Sequence, residues 1–282
     1  MGRTLCPAIC FTMTDPTAPI GVFDSGVGGL TVARALLHLL PGERLLYFAD
    51  TAHVPYGPRP PEQIKDFALD ISAFLIEQGA KAVIMGCNTS SAVALEPARE
   101  SHGPLIFGVI QPGAKAALRA TRKSRIGVIA TQATVSTAAY SSALRGLKPA
   151  LEVIEQPCPE FVPLVEKGEL NSAHTRQVTN GYLEPVLQFG VDTVVLGCTQ
   201  YPLLRPLIQE IAGPEITLID PAEETAKEVA AALREAKLVN PGTPDASAHR
   251  FFASGDPTSI KTVGARFLGQ PIENIESASL WK

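Results

Sequence analysis

The chain carries one sequence pattern twice, as AVIMGCNTSSA at Ala82–Ala92 and as TVVLGCTQYPL at Thr193–Leu203. Each copy is an apolar run that stops at a glycine and continues into a cysteine and small polar residues, which is typical of a buried strand followed by a turn. The two cysteines, Cys87 and Cys198, lie 111 positions apart, so only the fold can bring them together. If it does, two thiols flank one pocket, an arrangement that suits the movement of a proton across a carbon centre.

The composition is that of a folded chain with a substantial core. Of the 282 residues, 45% are apolar and 18% are charged, which is enough for one large domain or two of moderate size. The net charge of −4 disfavours nucleic acid and anionic membranes as partners. No apolar run approaches the roughly 20 residues of a membrane helix. We therefore expect a small molecule as the partner.

The five cysteines are too few and too scattered for a disulfide framework, which favours a reducing cytoplasm. The histidines and cysteines also lack the spacing of a zinc site, so no metal is predicted. Residues 1–19 lack the apolar core of a secretory signal. They are predicted to form a disordered tail, so Cys6 and Cys10 have no expected role. Cys158 lies between two prolines, has no evident counterpart in the repeat, and is interpreted as structural.

Apolar runs alternate with segments of helical spacing, which predicts a parallel α/β architecture. Ligands of such sheets gather at the carboxyl ends of the strands, where Asp24, Asp50 and Cys87 are expected. The run at 126–129 repeats an earlier run at an offset of 106, so the second half is interpreted as a duplicate of the first. After a Pro/Gly/Ser-rich linker at 240–248, a last strand and helix are expected to return to the first domain.

The segment DSGVGG at Asp24–Gly29 lies between the first predicted strand and a predicted helix. Glycines let backbone N–H groups approach a carboxylate or phosphate, so the segment is a candidate anion cradle. Two plainer interpretations stay open. One is a tight strand–helix turn, and the other is a helix cap formed by Asp24.

The cysteine motifs are the strongest chemical signal. A single buried cysteine at a strand end is more often a small core residue than a nucleophile. The repetition favours a chemical role, because each cysteine is followed by Thr or Asn-Thr, whose hydroxyl and amide groups can bind a polar ligand. Helix N-termini next to both cysteines are predicted to favour the thiolate.

At these residues the sequence resembles the glutamate racemases of the cofactor-independent aspartate/glutamate racemase superfamily. The resemblance runs from about residue 20 to residue 275, nearly the whole chain. The segments that carry it are GVFDSGVGGLTV, YFADTAHVPYG, GCNTSSA, GVIQPGAKAA, FVPLVEKGEL, GCTQYPLL and ASGDPTSI.

The resemblance implies two pseudo-symmetric parallel-sheet α/β domains that face each other across the active-site cleft. The expected domains are residues 20–115 plus 225–275, and residues 116–224. The implied activity interconverts L- and D-glutamate without a cofactor and supplies D-glutamate for peptidoglycan synthesis; a homodimer is a further expectation. One thiolate takes the α-proton and the opposite thiol returns one. By motif, the catalytic residues are Cys87, Cys198, Asp24 and Glu166. The substrate-binding positions are Asp24, Ser25, Asp50, Tyr56, Gly57, Asn88, Thr89, Thr131, Thr199 and Gln200.

Three positions depart from the family pattern. Gln200 stands where the family usually has His, Gln111 where an acidic residue is common, and His53 where Arg is common. A glutamine cannot carry a proton near neutral pH, so the activation of Cys198 is in question. Two alternatives therefore stay open: a glutamate-binding or regulatory protein with weakened catalysis, and a racemase of another acidic amino acid such as aspartate.

Overall fold

The computed structural model describes residues 15–103, 105–243 and 245–281, which form a six-stranded and a four-stranded parallel sheet. The predicted α/β class is therefore confirmed. In chain order the strands are β1 (Ile20–Asp24), β2 (Leu45–Ala49), β3 (Ala82–Met85), β4 (Ile106–Gly108), β5 (Arg125–Ala130), β6 (Glu152–Pro157), β7 (Thr193–Gly197), β8 (Thr217–Ile219), β9 (Arg250–Ala253) and β10 (Ile275–Ser277).

Helices follow most of the strands and cover the sheets. The α-helices are α1 (Leu30–Leu39), α2 (Pro61–Glu77), α3 (Asn88–His102), α4 (Ile110–Ala120), α5 (Gln132–Ser136), α6 (Ala139–Leu147), α7 (Phe161–Lys167), α8 (Ala173–Gln188), α9 (Arg205–Ala212), α10 (Pro221–Glu235) and α11 (Ala265–Leu268). Short 3₁₀ turns lie at Tyr201–Leu204 and Ala246–Ala248, and a π-helical turn at Ile260–Gly264. Helix α10 packs against both α1 and α4 and so joins the two halves of the molecule.

The central strands are apolar along their whole length because helices cover both faces of each sheet. Every residue of β1, β2, β3 and β7 is buried. Such strands read as continuous apolar runs in the sequence, and this is why they were predictable.

The two sheets share one topology. The first has the order β10-β9-β2-β1-β3-β4 and the second β6-β5-β7-β8, so the order second–first–third–fourth strand recurs. In the first sheet Ile20 lies opposite Ala82, and in the second Ile126 lies opposite Thr193. These are the pairs related by the two sequence offsets, so the register supports the predicted duplication.

The repeat extends further than the sequence indicated. The N–H of Asp50 donates to the carbonyl of Asp24 (3.0 Å), and the N–H of Cys158 donates in the same way to the carbonyl of Ala130 (2.8 Å). Cys158 is therefore the structural counterpart of Asp50. The interpretation that Cys158 lacks a counterpart is wrong, because the prolines on either side of it hid the end of the strand.

The end of the chain adds two strands to the first sheet. β9 pairs with β2, and β10 pairs with β9. The position of β9 agrees with the expected return, while the domain limits themselves stay a prediction. β10 was not predicted, because only one of its three residues is apolar.

The predicted tail requires a partial correction. Residues 1–14 lie outside the described residues, whereas residues 15–19 pack against the first sheet. The Lys81 ammonium donates to the carbonyl of Pro16 (2.6 Å), and the Arg44 guanidinium donates to the carbonyl of Thr17. Lys81 also pairs with Glu43 at 2.6 Å, with both side chains fully buried. This buried ion pair holds the segment before β1 in place.

Candidate active site

The carboxyl ends of the central strands of both sheets face one cavity of about 400 Å³. Both cysteine turns contribute to its wall, as does the loop after β2. The predicted site residues in the lining are Asp24, Ser25, Tyr56, Gly57, Cys87, Asn88, Thr89, Thr131, Glu166, Cys198, Thr199 and Gln200. Of the predicted set, Asp50 alone is outside this lining.

Cys87 occupies the N-cap position of α3, without a capping hydrogen bond from its side chain, so the predicted helix beside it is present. Burial, together with the charge of Asp24, nevertheless raises the pKa of the Cys87 thiol to about 11. The N–H groups of Ser90 and Thr89 act in the opposite direction. The prediction of a favoured thiolate is wrong for this environment. Burial destabilises the thiolate more than the N–H groups at the helix N-terminus stabilise it.

Cys198 lies at the matching end of β7, but a 3₁₀ turn follows it instead of an α-helix. Burial is the main reason why the pKa of Cys198 is raised, and nearby Asp24 and Glu166 add to the increase. The N–H of Gln200 provides the opposing hydrogen bond. The predicted helix after this cysteine thus begins as a 3₁₀ turn that runs into α9, and burial favours the thiol form of both cysteines.

The glycine turn after β1 wraps around the carboxyl group of Asp24. The N–H of Gly29 donates to Asp24 Oδ2 at 3.0 Å, and a Cβ on Gly29 would lie 2.7 Å from the Asp24 Cβ. The anion that this segment holds is the protein's own carboxylate, so the ligand-cradle interpretation is wrong. The helix-cap interpretation also fails, because Gly29 occupies the cap of α1 and no side chain caps it.

Asp24 links the two thiols electrostatically. Burial raises the pKa of its carboxyl group, while hydrogen bonds from backbone N–H groups and from the Cys87 thiol act to lower it. Its negative charge raises the pKa of both Cys87 and Cys198. A positive group bound near Asp24 would therefore favour the thiolate form of both cysteines.

Asp50 lies behind the cavity wall and is fully buried. Its carboxylate accepts hydrogen bonds from Tyr56 Oη (2.6 Å) and from Ser254 Oγ (2.6 Å), and it contacts His53 Nδ1 (2.8 Å). The predicted direct contact of Asp50 with substrate is thus corrected: Asp50 supports Tyr56, which lines the cavity. Ser254 belongs to the returning segment and lies 204 positions after Asp50 in the sequence, so this cluster joins distant parts of the chain.

Hydroxyl groups from both halves meet in the cavity wall. Thr89 Oγ1 lies 3.2 Å from Thr134 Oγ1 and 3.4 Å from Thr131 Oγ1. Gly28, in the first glycine turn, packs against Thr199 so closely that a Cβ at this position would overlap the Thr199 hydroxyl. The two halves therefore build the wall together.

The Cys198 side of the cavity also carries a carboxylate–amide pair. Gln200 Nε2 donates to Glu166 Oε1 at 3.1 Å. Gln200 Oε1 is buried and has no hydrogen-bond partner among the described residues. An unpaired buried carbonyl oxygen carries a cost in free energy, so this side of the cavity is not fully satisfied by its own contacts.

A family model described as Asp/Glu/hydantoin racemase matches residues 20–229. The chain belongs to this family. A glutamate racemase of Geobacter metallireducens is 43% identical over 265 residues, which is 94% of this chain and 98% of that protein. The predicted resemblance to glutamate racemases is confirmed, and the chain is an amino-acid racemase by family.

Solved structures of glutamate racemases agree with this assignment. The enzyme from Thermus thermophilus in complex with β-chloro-D-alanine has a TM-score of 0.85 and 42% identity, over 94% of this chain and 98% of that chain. The enzyme from Francisella tularensis in complex with D-glutamate has a TM-score of 0.88 and 34% identity, with the same coverage.

The three departures from the family pattern lie in different surroundings. Gln200 lines the cavity beside Cys198. His53 stacks on Phe67, with ring centroids 4.0 Å apart, and contacts Asp50 behind the wall. Gln111 is exposed and outside the lining. Only the change at Gln200 therefore alters the chemistry of the racemase cavity directly.

Several residues of the cavity and its support were missed from sequence. Thr134 follows Thr131 by three residues, and Thr131 caps α5 through a hydrogen bond from the Thr134 N–H. That spacing is a helix-start signal that could have drawn attention to it. Ser254 and Tyr140 gave no such signal, because their partners are far away in sequence.

The geometry also bears on metal binding and on membrane insertion. Among residues 15–103, 105–243 and 245–281, no group of three His, Cys, Asp or Glu side chains is placed to hold a metal ion. Within the same part of the chain, no helix has both the length and the apolar character needed to cross a membrane.

Proposed function

We propose that this protein interconverts L- and D-glutamate by two-base proton transfer between Cys87 and Cys198. The observation that carries the proposal is that two buried thiols, one from each half of a duplicated fold, line one cavity. Inversion at a carbon requires a base on one face and an acid on the other. Two equivalent thiols meet that need in both directions.

The proton balance is simple. One cysteine acts as thiolate and takes the α-proton, while the opposite thiol donates its proton to the other face of the carbon. The catalytic pair then has its protonation reversed and is ready for the opposite enantiomer. The Cys87 thiol acts to lower the pKa of the Asp24 carboxyl group, and we propose Asp24 as the proton acceptor when that thiol ionises. We propose Glu166, through Gln200, as the supporting carboxylate on the Cys198 side.

The lining favours an acidic amino acid. The polar part of the wall includes several neutral donors: Ser25, Asn88, Thr89, Thr131, Thr134 and Thr199. These groups suit substrate carboxylates, while Asp24 and Glu166 suit the ammonium group. An ammonium near Asp24 lowers the pKa of both thiols by opposing the carboxylate charge. Substrate binding therefore creates the thiolate that the reaction needs.

The glutamate racemase relatives extend the proposal to its cellular role. We infer that the D-glutamate supplies peptidoglycan synthesis, and that the protein works in a reducing cytoplasm, as the sparse cysteines indicate. A homodimer is also part of this proposal. We propose that the predicted substrate-binding residues that line the cavity contact the substrate directly, and that Asp50 does not.

The test is incubation of the purified protein with L-glutamate in D₂O under reducing conditions. We expect D-glutamate, with deuterium at the α-carbon of the product, by chiral chromatography and NMR. A double Cys87→Ala, Cys198→Ala variant is the matched control and should give neither. Absence of both signals from the unmodified protein would overturn the proposal.

The same experiment separates the alternatives. Glutamate binding by calorimetry without α-proton exchange would indicate a binding protein. Faster turnover of aspartate than of glutamate would indicate a different acidic substrate. Binding and turnover are measured on the same preparation. A preparation that has lost its fold is recognised because it no longer binds glutamate.

A further inference from the structure

Tyr140 makes a contact that the catalytic scheme does not use. It lies on α6 in the second half of the molecule and is completely buried. Its hydroxyl donates to Oδ1 of Asn88 at 2.7 Å. Asn88 is the first residue of α3, directly after Cys87, and it lines the cavity. The hydrogen bond therefore joins the second half to the residue beside a thiol.

The contact fixes which end of the Asn88 amide is free. An asparagine amide has one acceptor oxygen and one donor nitrogen. Tyr140 occupies the oxygen, whereas Nδ2 has no hydrogen-bond partner among the described residues. The free end of Asn88 is thus its donor end, and Asn88 is 4% exposed. Rotation of the amide would turn Nδ2 toward the tyrosine oxygen and leave the buried hydroxyl proton of Tyr140 without its acceptor.

The tyrosine is suited to a permanent donor role. Burial is the main cause that raises the pKa of Tyr140 well above its usual range, with the charge of Asp220 adding to it. The hydroxyl therefore keeps its proton across the working pH range. A donor of this kind holds the Asn88 amide in one orientation throughout the reaction.

We propose that Tyr140 is a positioning residue that orients the Asn88 amide so that its N–H groups bind a substrate carboxylate beside Cys87. The inference rests on the proposed function in that the ligand is an amino acid with a carboxylate. Thr89, next to Asn88, reaches Thr134 of the second half, so the donor wall at this point also depends on both halves. Tyr140 makes carboxylate binding depend on the second half as well.

The test is the Tyr140→Phe variant, which removes the hydroxyl and keeps the ring. We expect KM for both enantiomers of glutamate to rise about tenfold, which corresponds to the loss of one good hydrogen bond, while kcat changes less than threefold. An unchanged KM would overturn the proposal, and so would a loss confined to kcat.

Tyr201→Phe is the matched control. Tyr201 is as buried as Tyr140, and its hydroxyl donates to the Cys158 carbonyl at 3.0 Å. We expect its thermal stability to fall as in Tyr140→Phe, but its KM to stay within twofold of the unmodified protein. An equal rise in KM would show general loosening and would contradict the positioning role.

Two further variants extend the test, and the second of them keeps Tyr140 and so stays informative if Tyr140→Phe folds poorly. In an Asn88→Ala background, Tyr140→Phe should change KM less than twofold, because the residue through which it acts is gone. Asn88→Asp keeps an acceptor for Tyr140 but has no donor for a carboxylate, so glutamate binding should fall further than in Tyr140→Phe. Additive losses in the first case, or intact binding in the second, would sink the idea.

Calorimetric binding of glutamate separates this proposal from the proposed function. If the unmodified protein binds glutamate but does not racemise it, the two-base proposal fails. A tenfold weaker binding in Tyr140→Phe would then still support the positioning role. Equal binding in both proteins would overturn the positioning role whether or not racemisation occurs.

Discussion

Cys87 and Cys198 occupy matching strand ends, yet the two halves treat them differently. Cys87 occupies the N-cap position of a helix of 15 residues, where the backbone N–H groups of Thr89 and Ser90 act to lower its pKa. Cys198 lies three residues before a 3₁₀ turn, and the backbone N–H of Gln200 acts to lower its pKa. The pKa of Cys198 is accordingly raised more strongly. The lesson is that duplication preserved the strand register, whereas burial sets the acidity of each thiol and the segment after each strand modifies it.

The largest effect should come from removing one thiol at a time. Cys87→Ser and Cys198→Ser should each lower racemisation by about 10²–10⁴-fold, the usual contribution of a positioned acid or base. The two variants should differ in which enantiomer still exchanges its α-proton in D₂O, measured by NMR. Cys158→Ala, which removes a buried thiol outside the cavity, serves as control. Identical exchange patterns in the two serine variants would contradict the two-base assignment.

The pH dependence of alkylation should reveal the raised pKa of Cys87. Thiolate is the reactive form, and with a pKa of about 11 its fraction rises with pH until that value. The rate with iodoacetamide should therefore increase about 10³-fold between pH 7 and pH 10, instead of levelling off near the usual pKa of about 8.5. Peptide mass spectrometry should find Cys198 slower than Cys87 throughout. A plateau below pH 9 would contradict the burial argument.

Asp24→Asn sharpens this comparison. The negative charge of Asp24 raises the pKa of both thiols, so its removal should move both alkylation profiles to lower pH. At a fixed pH below the pKa, a thiol whose pKa falls by about one should be alkylated about tenfold faster, because its thiolate fraction rises by that factor. Asp245→Asn, which alters an exposed carboxylate in the linker, should leave both profiles in place. Profiles that stay unmoved in Asp24→Asn would show that desolvation alone sets the two values.

Gln200→His tests the source of the difference between the halves. A protonated imidazole beside Cys198 lowers the pKa of that thiol. We expect about a three- to tenfold gain, limited to the direction in which Cys198 is the base, measured as kcat/KM for each enantiomer. Gln200→Leu, which removes the hydrogen bond to Glu166, is the comparison variant and should lose activity in that direction. An equal gain in both directions would contradict a local role.

The smallest effect concerns the support behind the first half. Ser254→Ala removes one hydrogen bond to the buried Asp50 carboxylate and should lower the free energy of unfolding by about 1–2 kcal/mol in urea titrations. KM should change less than threefold, because Tyr56 keeps its own bond to Asp50. Ser247→Ala, whose hydroxyl contacts an exposed Asp245, should stay within about 0.5 kcal/mol. A large rise in KM would place Asp50 closer to the substrate than its position indicates.

Local patterns in the sequence predicted much of the architecture. The apolar runs of β1, β3, β5 and β7 predicted buried strands, and the two offsets predicted the register that the sheets adopt. The residues after those runs were correctly placed in one cavity. Such features are local because a strand covered on both faces must be apolar along its length.

The tertiary structure alone decided what those residues can do. Asp50 lies behind Tyr56, where its carboxylate accepts a hydrogen bond from Ser254. The Asn88 amide accepts a hydrogen bond from Tyr140. Both contacts join distant parts of the chain. The cysteine pKa values reversed the local prediction, because a helix end acts on its neighbours while desolvation depends on every atom that surrounds the sulfur. Sequence therefore determined which groups meet, and burial determined their protonation and their orientation.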